Sequence, residues 1–162
     1  MKILIVSDTH RRNENYFEVL RRMGPLDMVI HCGDVEGSEY AISQAAGCPV
    51  QIVQGNCDFF SSLPGELEFN IGKYKVWVTH GNTYYVSMGN EMLKKEARAK
   101  GVDIVMYGHT HRPLIDTTDD EVVIINPGSI SYPRQEGHKP SYAIMEIDRF
   151  DEAHFMLAYL EQ

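Results

Sequence analysis

The stretch KILIVSDTH, residues 2–10, decides how the chain is read. Ile3, Leu4, Ile5 and Val6 form an unbroken, largely β-branched apolar run, which predicts a buried strand. The run gives way at once to Ser7-Asp8-Thr9-His10, four polar residues. In open α/β sheets, ligands bind beyond the carboxyl ends of the strands. The first ten residues therefore predict both a buried sheet and a chemically active rim.

Downstream, strand and helix patterns alternate. Asn13 is placed to cap a helix that carries Tyr16, Phe17, Leu20 and Met23 on one face and stops at Gly24-Pro25. Residues 28–31 read as a second strand, Ser38 as the cap of a second helix ending near Gly47, and 50–53 as a third strand. This βαβαβ order predicts parallel strands with right-handed crossovers. Residues 67–71 and 74–79 read as a hairpin, 88–100 as a helix closed by Gly101, and 104–107 as another buried strand. Residues 114–117 and 122–126 predict a second hairpin, and 141–148 with 154–160 an antiparallel pair. One sheet of about ten short strands would be unusually wide. The expectation is a single α/β domain over residues 1–162, with two packed mixed sheets and helices outside.

Bulk properties narrow the function. No apolar run approaches the roughly 18 residues of a membrane span, and the first apolar run is too short for a signal peptide. A cytoplasmic protein with no membrane partner is expected. The three cysteines, Cys32, Cys48 and Cys57, have no CxxC spacing and are expected to be reduced. A net charge of −8 argues against duplex nucleic acid as a partner. The densest basic run, KKEARAK at 94–100, looks like a helix face. Small anions remain possible where something local supplies positive charge.

Polar residues recur at the strand ends: Asp8 and His10, Asp34, Asn56, His80, then His109 and His111. Two carboxylates, one amide and four imidazoles exceed the needs of one four-coordinate zinc. They suit two metal ions roughly 3.5–4 Å apart, with Asp34 as the bridging carboxylate. The one-residue gap in Gly108-His109-Thr110-His111 lets each histidine address a different ion. Nitrogen-rich ligation favours transition metals over magnesium or calcium, with Mn(2+) expected and Fe, Zn, Co or Ni also fitting. His31, just inside a strand end, reads as structural, and His138 and His154 as surface residues. Phe59, Phe60, Tyr84 and Tyr85 follow these loops, either lining an entrance or simply packing.

Together these residues resemble the calcineurin-like metallophosphoesterases, whose pattern runs DxH, GD, GNH[D/E], H and GHxH. Here it reads Asp8-Thr9-His10, Gly33-Asp34, Gly55-Asn56-Cys57-Asp58, His80 and Gly108-His109-Thr110-His111. The short length, Asn126-Pro127-Gly128-Ser129 and Arg134 are similar to the small YfcE-like phosphodiesterase branch. The resemblance implies a four-layer α-β-β-α sandwich. It also implies that Asp8, His10 and His111 hold one metal, that Asn56, His80 and His109 hold the other, and that Asp34 bridges. The implied activity is hydrolysis of small phosphodiesters by a metal-bridging hydroxide, with Asn56, Asp58, His10 and Cys57 as candidate catalytic groups. A homodimer or homotetramer is implied as well. Cys57 departs from the pattern, because most of the superfamily has histidine there. The alternatives are a non-catalytic interaction scaffold, as in the retromer subunit resembling this branch, and a cyclic-nucleotide phosphodiesterase or nuclease.

Overall fold

The structure is a computed structural model, and it describes residues 1–161. Ten strands and three α-helices follow in the order β1 (Lys2–Val6), α1 (Glu14–Met23), β2 (Met28–His31), α2 (Glu39–Ala46), β3 (Val50–Ile52), β4 (Glu66–Ile71), β5 (Tyr74–Thr79), α3 (Glu91–Lys100), β6 (Ile104–Met106), β7 (Leu114–Asp116), β8 (Val123–Asn126), β9 (Ser141–Ile147) and β10 (Ala153–Tyr159). They form two five-stranded mixed sheets, ordered β10-β9-β1-β2-β3 and β4-β5-β6-β8-β7.

The apolar run of β1 is explained by burial on both of its faces. Ile3 and Ile5 join Ile30, Val76, Val78, Ile104, Met106 and Ile125 in a core between the two sheets. Leu4 and Val6 point the other way, against Tyr16 and Val19 of α1 and Ile42 of α2. On the far side of the second sheet, Trp77, Val105 and Ile124 pack against Leu93 and Ala97 of α3. The result is the expected helix–sheet–sheet–helix sandwich. Each fully buried Ile or Leu contributes about 1.5–3 kcal/mol of transfer free energy.

Topology places the site. β1, β2 and β3 are mutually parallel, with Val6 opposite His31 and His31 opposite Ile52. β5, β6 and β8 are also mutually parallel. Each group of parallel strands therefore ends together, and the polar residues that follow each strand gather at the rim.

Local details differ from the sequence reading. Asn13 and Ser38 occupy the N-cap positions of α1 and α2, but neither side chain makes a capping hydrogen bond. The Ser38 hydroxyl instead donates to the Val35 carbonyl at 2.7 Å, tying the preceding turn. Phe17 is 41% exposed, because the buried stripe of α1 centres on Tyr16 and Val19. The helix expected from residue 88 starts at Glu91. Val86–Met88 form a separate 3₁₀ turn that stops at Gly89, whose φ of 136° no helix tolerates. Among the described residues, no helix is long and apolar enough to cross a membrane.

Candidate metal centre

Sharp turns after the strands build the site. Asp8, His10, Asp34, His109 and His111 all have φ between 47° and 71°, in the left-handed region that side chains rarely adopt. Such strain persists only where the surroundings fix it, and it clusters at functional sites. The glycines of the motifs serve close approach. A Cβ on Gly108 would meet the Ser7 hydroxyl and lie 2.6 Å from Asp8 Oδ2, and one on Gly55 would run into the Asp34 carboxylate.

Three overlapping groups of side chains result: Asp8 with His10 and His111, Asp8 with Asp34 and His80, and His10 with Glu36 and Cys57. In each, the potential ligand atoms lie within 4.8 Å of one another. His111 Nε2 is 3.2 Å from Asp8 Oδ1 and 3.2 Å from His10 Nε2. His80 Nε2 is 3.2 Å from Asp34 Oδ2 and 3.9 Å from Asp8 Oδ1. Asp34 Oδ2 also stands 3.7 Å from His10 Nε2, so this carboxylate lies between the two imidazole groups. Asn56 Oδ1 and His109 Nδ1 pair at 3.0 Å beside His80, whose ring meets that of His109 edge-on. All seven side chains expected as ligands thus come to one rim.

Hydrogen bonding fixes the ring nitrogens. His80 Nδ1 faces the Cys32 carbonyl at 2.7 Å, and His111 Nδ1 faces the Tyr132 carbonyl at 2.7 Å. A carbonyl only accepts, so both Nδ1 atoms carry the proton. In the neutral rings, the two Nε2 lone pairs then point at carboxylate oxygens. Asp8 Oδ1 and His80 Nε2 are both buried without a hydrogen-bond partner. Lone pairs converging on anionic oxygen are tolerated only with positive charge between them, supplied by protons or by a metal. The donor set fits divalent transition metals.

The titration shifts have the same origin. Burial alone would lower the His80 pKa, but Asp34 and Asp8 outweigh it and raise it to about 9. His10 is raised, mainly by the Asp8 carboxylate 3.7 Å from its Nε2. Burial pushes the Asp8 carboxyl up, yet the surrounding histidines bring it well below its ordinary value. Asp34 is likewise lowered, with His80 overcoming burial. His109 is lowered, first by burial and then by the charge of His80. Cys57 is raised to about 11 by burial and by the nearby Asp34 and Glu36, so its thiol is neutral.

Around these groups lies a supporting shell. Asp58 is buried and bonds to no ring. Its carboxylate accepts the backbone N–H groups of Asp34 at 2.8 Å, Gly55 at 2.7 Å and Glu36 at 2.7 Å. It thereby ties the second strand end to the third. Asn126 donates to the Gly108 carbonyl at 3.2 Å and to Thr110 Oγ1 at 2.9 Å, and the Ser129 hydroxyl donates to the Asp8 carbonyl at 2.8 Å. The Asn126-Pro127-Gly128-Ser129 segment thus holds the loops of Asp8 and His109 together.

His31 is structural, as expected. Gly33 N–H donates to its Nδ1, which leaves Nε2–H for Thr9 Oγ1 at 3.0 Å, and burial lowers its pKa to about 4. Phe59, Phe60 and Tyr85 are exposed. Tyr84 packs edge-on against Trp77 and donates to Glu66. Sequence reasoning missed Glu36, whose carboxylate lies 3.6 Å from His10 Nδ1, and Tyr132, whose ring meets His10 edge-on. Neither carries a local signal beyond its closeness to Asp34 and Ser129. A cleft of about 530 Å³ opens beside His10 and His111 and is walled by Glu36, Tyr132, Pro133 and Arg134.

Comparison with known proteins agrees with this geometry. Residues 1–149 match the family model described as the calcineurin-like phosphoesterase superfamily domain. The probable metallophosphoesterase YsnB of Bacillus subtilis is 34% identical over 149 residues, covering 91% of this chain and 85% of that protein. A crystal structure from Streptococcus pneumoniae, described as a predicted phosphoesterase, superposes with a TM-score of 0.78 at 28% identity. It covers 98% of this chain and 97% of that one. A single mutant of Vps29 from Entamoeba histolytica superposes with a TM-score of 0.79 over 99% of this chain and all of that one. At 22% identity, this last likeness is one of fold alone.

Proposed function

The chain belongs to the calcineurin-like phosphoesterase superfamily, and from that premise we propose that it is a dinuclear-metal phosphodiesterase acting on small phosphodiesters. One observation supports this most. Two histidines locked as Nδ1–H tautomers aim their Nε2 lone pairs at Asp8 and Asp34, while Asp8 Oδ1 and His80 Nε2 lie buried without partners. Asp8, His10 and His111 would hold one ion, Asn56, His80 and His109 the other, with Asp34 between them. Manganese is the favoured metal, and Fe, Zn, Co or Ni would fit the same donors. When bound, such a pair of ions supplies Lewis acidity and lowers the pKa of coordinated water.

The protein's own contribution is positional. The Cys32 and Tyr132 carbonyls set the ring tautomers, and Asp58 fixes the relation of the Asp34 and Asn56 loops. Burial of Asp8 and His80 keeps water off the carboxylates and strengthens every interaction there. In the hydrolysis, a water oxygen becomes bonded to phosphorus and the bond from phosphorus to one alcohol oxygen breaks. The departing oxygen keeps the electron pair and takes up a proton. Cys57, a neutral thiol, cannot offer the positive charge of an imidazolium to that oxygen. Good leaving groups such as nitrophenolate are therefore favoured. A singly charged diester also meets less repulsion from Glu36 and Asp34 than a doubly charged monoester does.

A phosphoester panel with manganese-loaded protein, run beside His109→Ala, tests the proposal. Turnover of aryl diesters is expected, reduced about a hundredfold or more in the variant. A metal-loaded protein that hydrolyses no phosphoester, activated aryl diesters included, would favour the scaffold reading instead.

A further inference from the structure

A second cleft, of about 520 Å³, lies next to the metal centre on the side of the His109–His111 loop. Arg112 and Arg134 both line it, with Thr110, Asn90 and Tyr107 as polar neighbours and no carboxylate in its wall. In a chain of net charge −8 this is a local reversal of sign. Among the described residues, neither guanidinium makes an ion pair or a side-chain hydrogen bond, whereas Arg21, Arg22 and Arg98 pair with carboxylates. Arg11 and Arg12 are also occupied, the one donating to the Glu36 carbonyl and the other lying over the Tyr132 ring.

Both arginines are tied to a metal-ligand residue. Arg112 follows His111 directly, and Arg134 N–H donates to the His111 carbonyl at 3.0 Å. Arg134, an exposed residue, also lines the 530 Å³ cleft beside His10 and His111, so it is shared by the two clefts. An unpaired planar guanidinium beside a phosphoryl-transfer centre is suited to bidentate recognition of phosphate.

We propose that Arg134 and Arg112 form a subsite for a second phosphate, and that the substrates are phosphodiesters carrying another phosphate group on one of their alcohols. The inference rests on the phosphodiesterase reading and deepens it. The second phosphate is not cleaved. It sits on the arginines while the diester reacts at the metal centre, so its charge aids binding without adding repulsion from Asp34 and Glu36. Arg134 acts as a specificity-determining residue, with Arg112 beside it.

Two chromogenic esters with one leaving group isolate the effect. Thymidine 5′-(p-nitrophenyl phosphate) has a free 3′-hydroxyl, and its 3′-phosphorylated form differs only by the second phosphate. The manganese-loaded protein is expected to favour the 3′-phosphorylated ester in kcat/KM by about tenfold or more, as a charge-assisted contact supplies. Most of the gain should appear in KM and fade as salt is raised. Arg134→Ala and Arg112→Ala should each shrink the ratio, Arg134→Lys should restore part of it, and Arg134→Glu should bring it below one. Calorimetry gives a reading independent of turnover. Thymidine 3′,5′-bisphosphate should bind more tightly than thymidine 5′-phosphate, and Arg134→Ala should abolish the difference. A ratio near one in the unaltered protein, or a preference that survives Arg134→Glu, overturns the subsite while leaving the phosphodiesterase reading intact. Failure to hydrolyse either ester would instead remove the reading on which the subsite rests.

Discussion

Asp58→Asn is the most informative change to the scaffolding of the site. The Asp58 carboxylate, 2% exposed, takes three backbone N–H groups at 2.7–2.8 Å, from Asp34, Gly55 and Glu36. An amide of the same shape has one oxygen. It can keep the pair of bonds from Asp34 and Gly55 to a single atom, but its NH₂ then opposes the Glu36 N–H. Two charge-assisted bonds become neutral, each losing about 1 kcal/mol, and one partly buried donor is orphaned at about 1–2 kcal/mol. The sum is about 3–4 kcal/mol of stability in the metal-free protein. For a domain of this size, that lowers Tm by roughly 6–16 °C. The same bonds fix where Asp34 and Asn56 stand, so metal affinity should fall about 10- to 100-fold. Thermal unfolding in chelator and a metal titration measure the two effects separately. A variant with unchanged Tm and unchanged metal affinity would refute the claim that Asp58 ties the two strand ends together.

Three further outcomes are expected. His80 has a folded pKa raised to about 9, against about 6.5 unfolded, so its pairing with Asp34 stabilises the metal-free protein fully below about pH 6.5 and is lost as pH rises through about 9. Metal must displace that proton. Its affinity should therefore climb between about pH 6.5 and 9, with proton release seen as a buffer-dependent calorimetric heat; an affinity flat across that window would contradict the assignment. Gly55→Ala places a methyl group 2.6 Å from Asp34 N and against the Asp34 carboxylate, so it should cost about 1–3 kcal/mol in denaturant unfolding and weaken metal binding, and a neutral result would mean that this close approach is absent. Cys57, with a pKa of about 11, should be alkylated at about pH 7.5 on the order of a hundredfold more slowly than a free thiol of pKa about 8.5; rapid labelling mapped to this residue would show an activated thiolate instead.

The legible parts of this molecule were those set by short-range patterning. The unbroken apolar runs of β1 and β2 announced burial on both faces, and the switch to Asp, Asn or His after each strand announced the rim. What escaped depends on contacts between distant loops. Ser38 makes no capping bond, and its hydroxyl donates to the Val35 carbonyl of the preceding turn, a contact no local pattern reveals. Phe17 has the spacing of a core residue, yet α1 turns Tyr16 and Val19 inward. Glu36 and Tyr132 reach His10 only because the segments after β2 and β8 fold over the same rim. The Asn126-Pro127-Gly128-Ser129 segment was visible as a motif, but its work of holding the Asp8 and His109 loops together appears only in three dimensions.

The central claim is that one rim holds two cations. Counting metal ions per chain by elemental analysis after manganese reconstitution and removal of free metal tests it most directly. About two ions per chain are expected, falling to about one in His109→Ala. A protein that retains none, or whose metal content is indifferent to His109, would contradict the account.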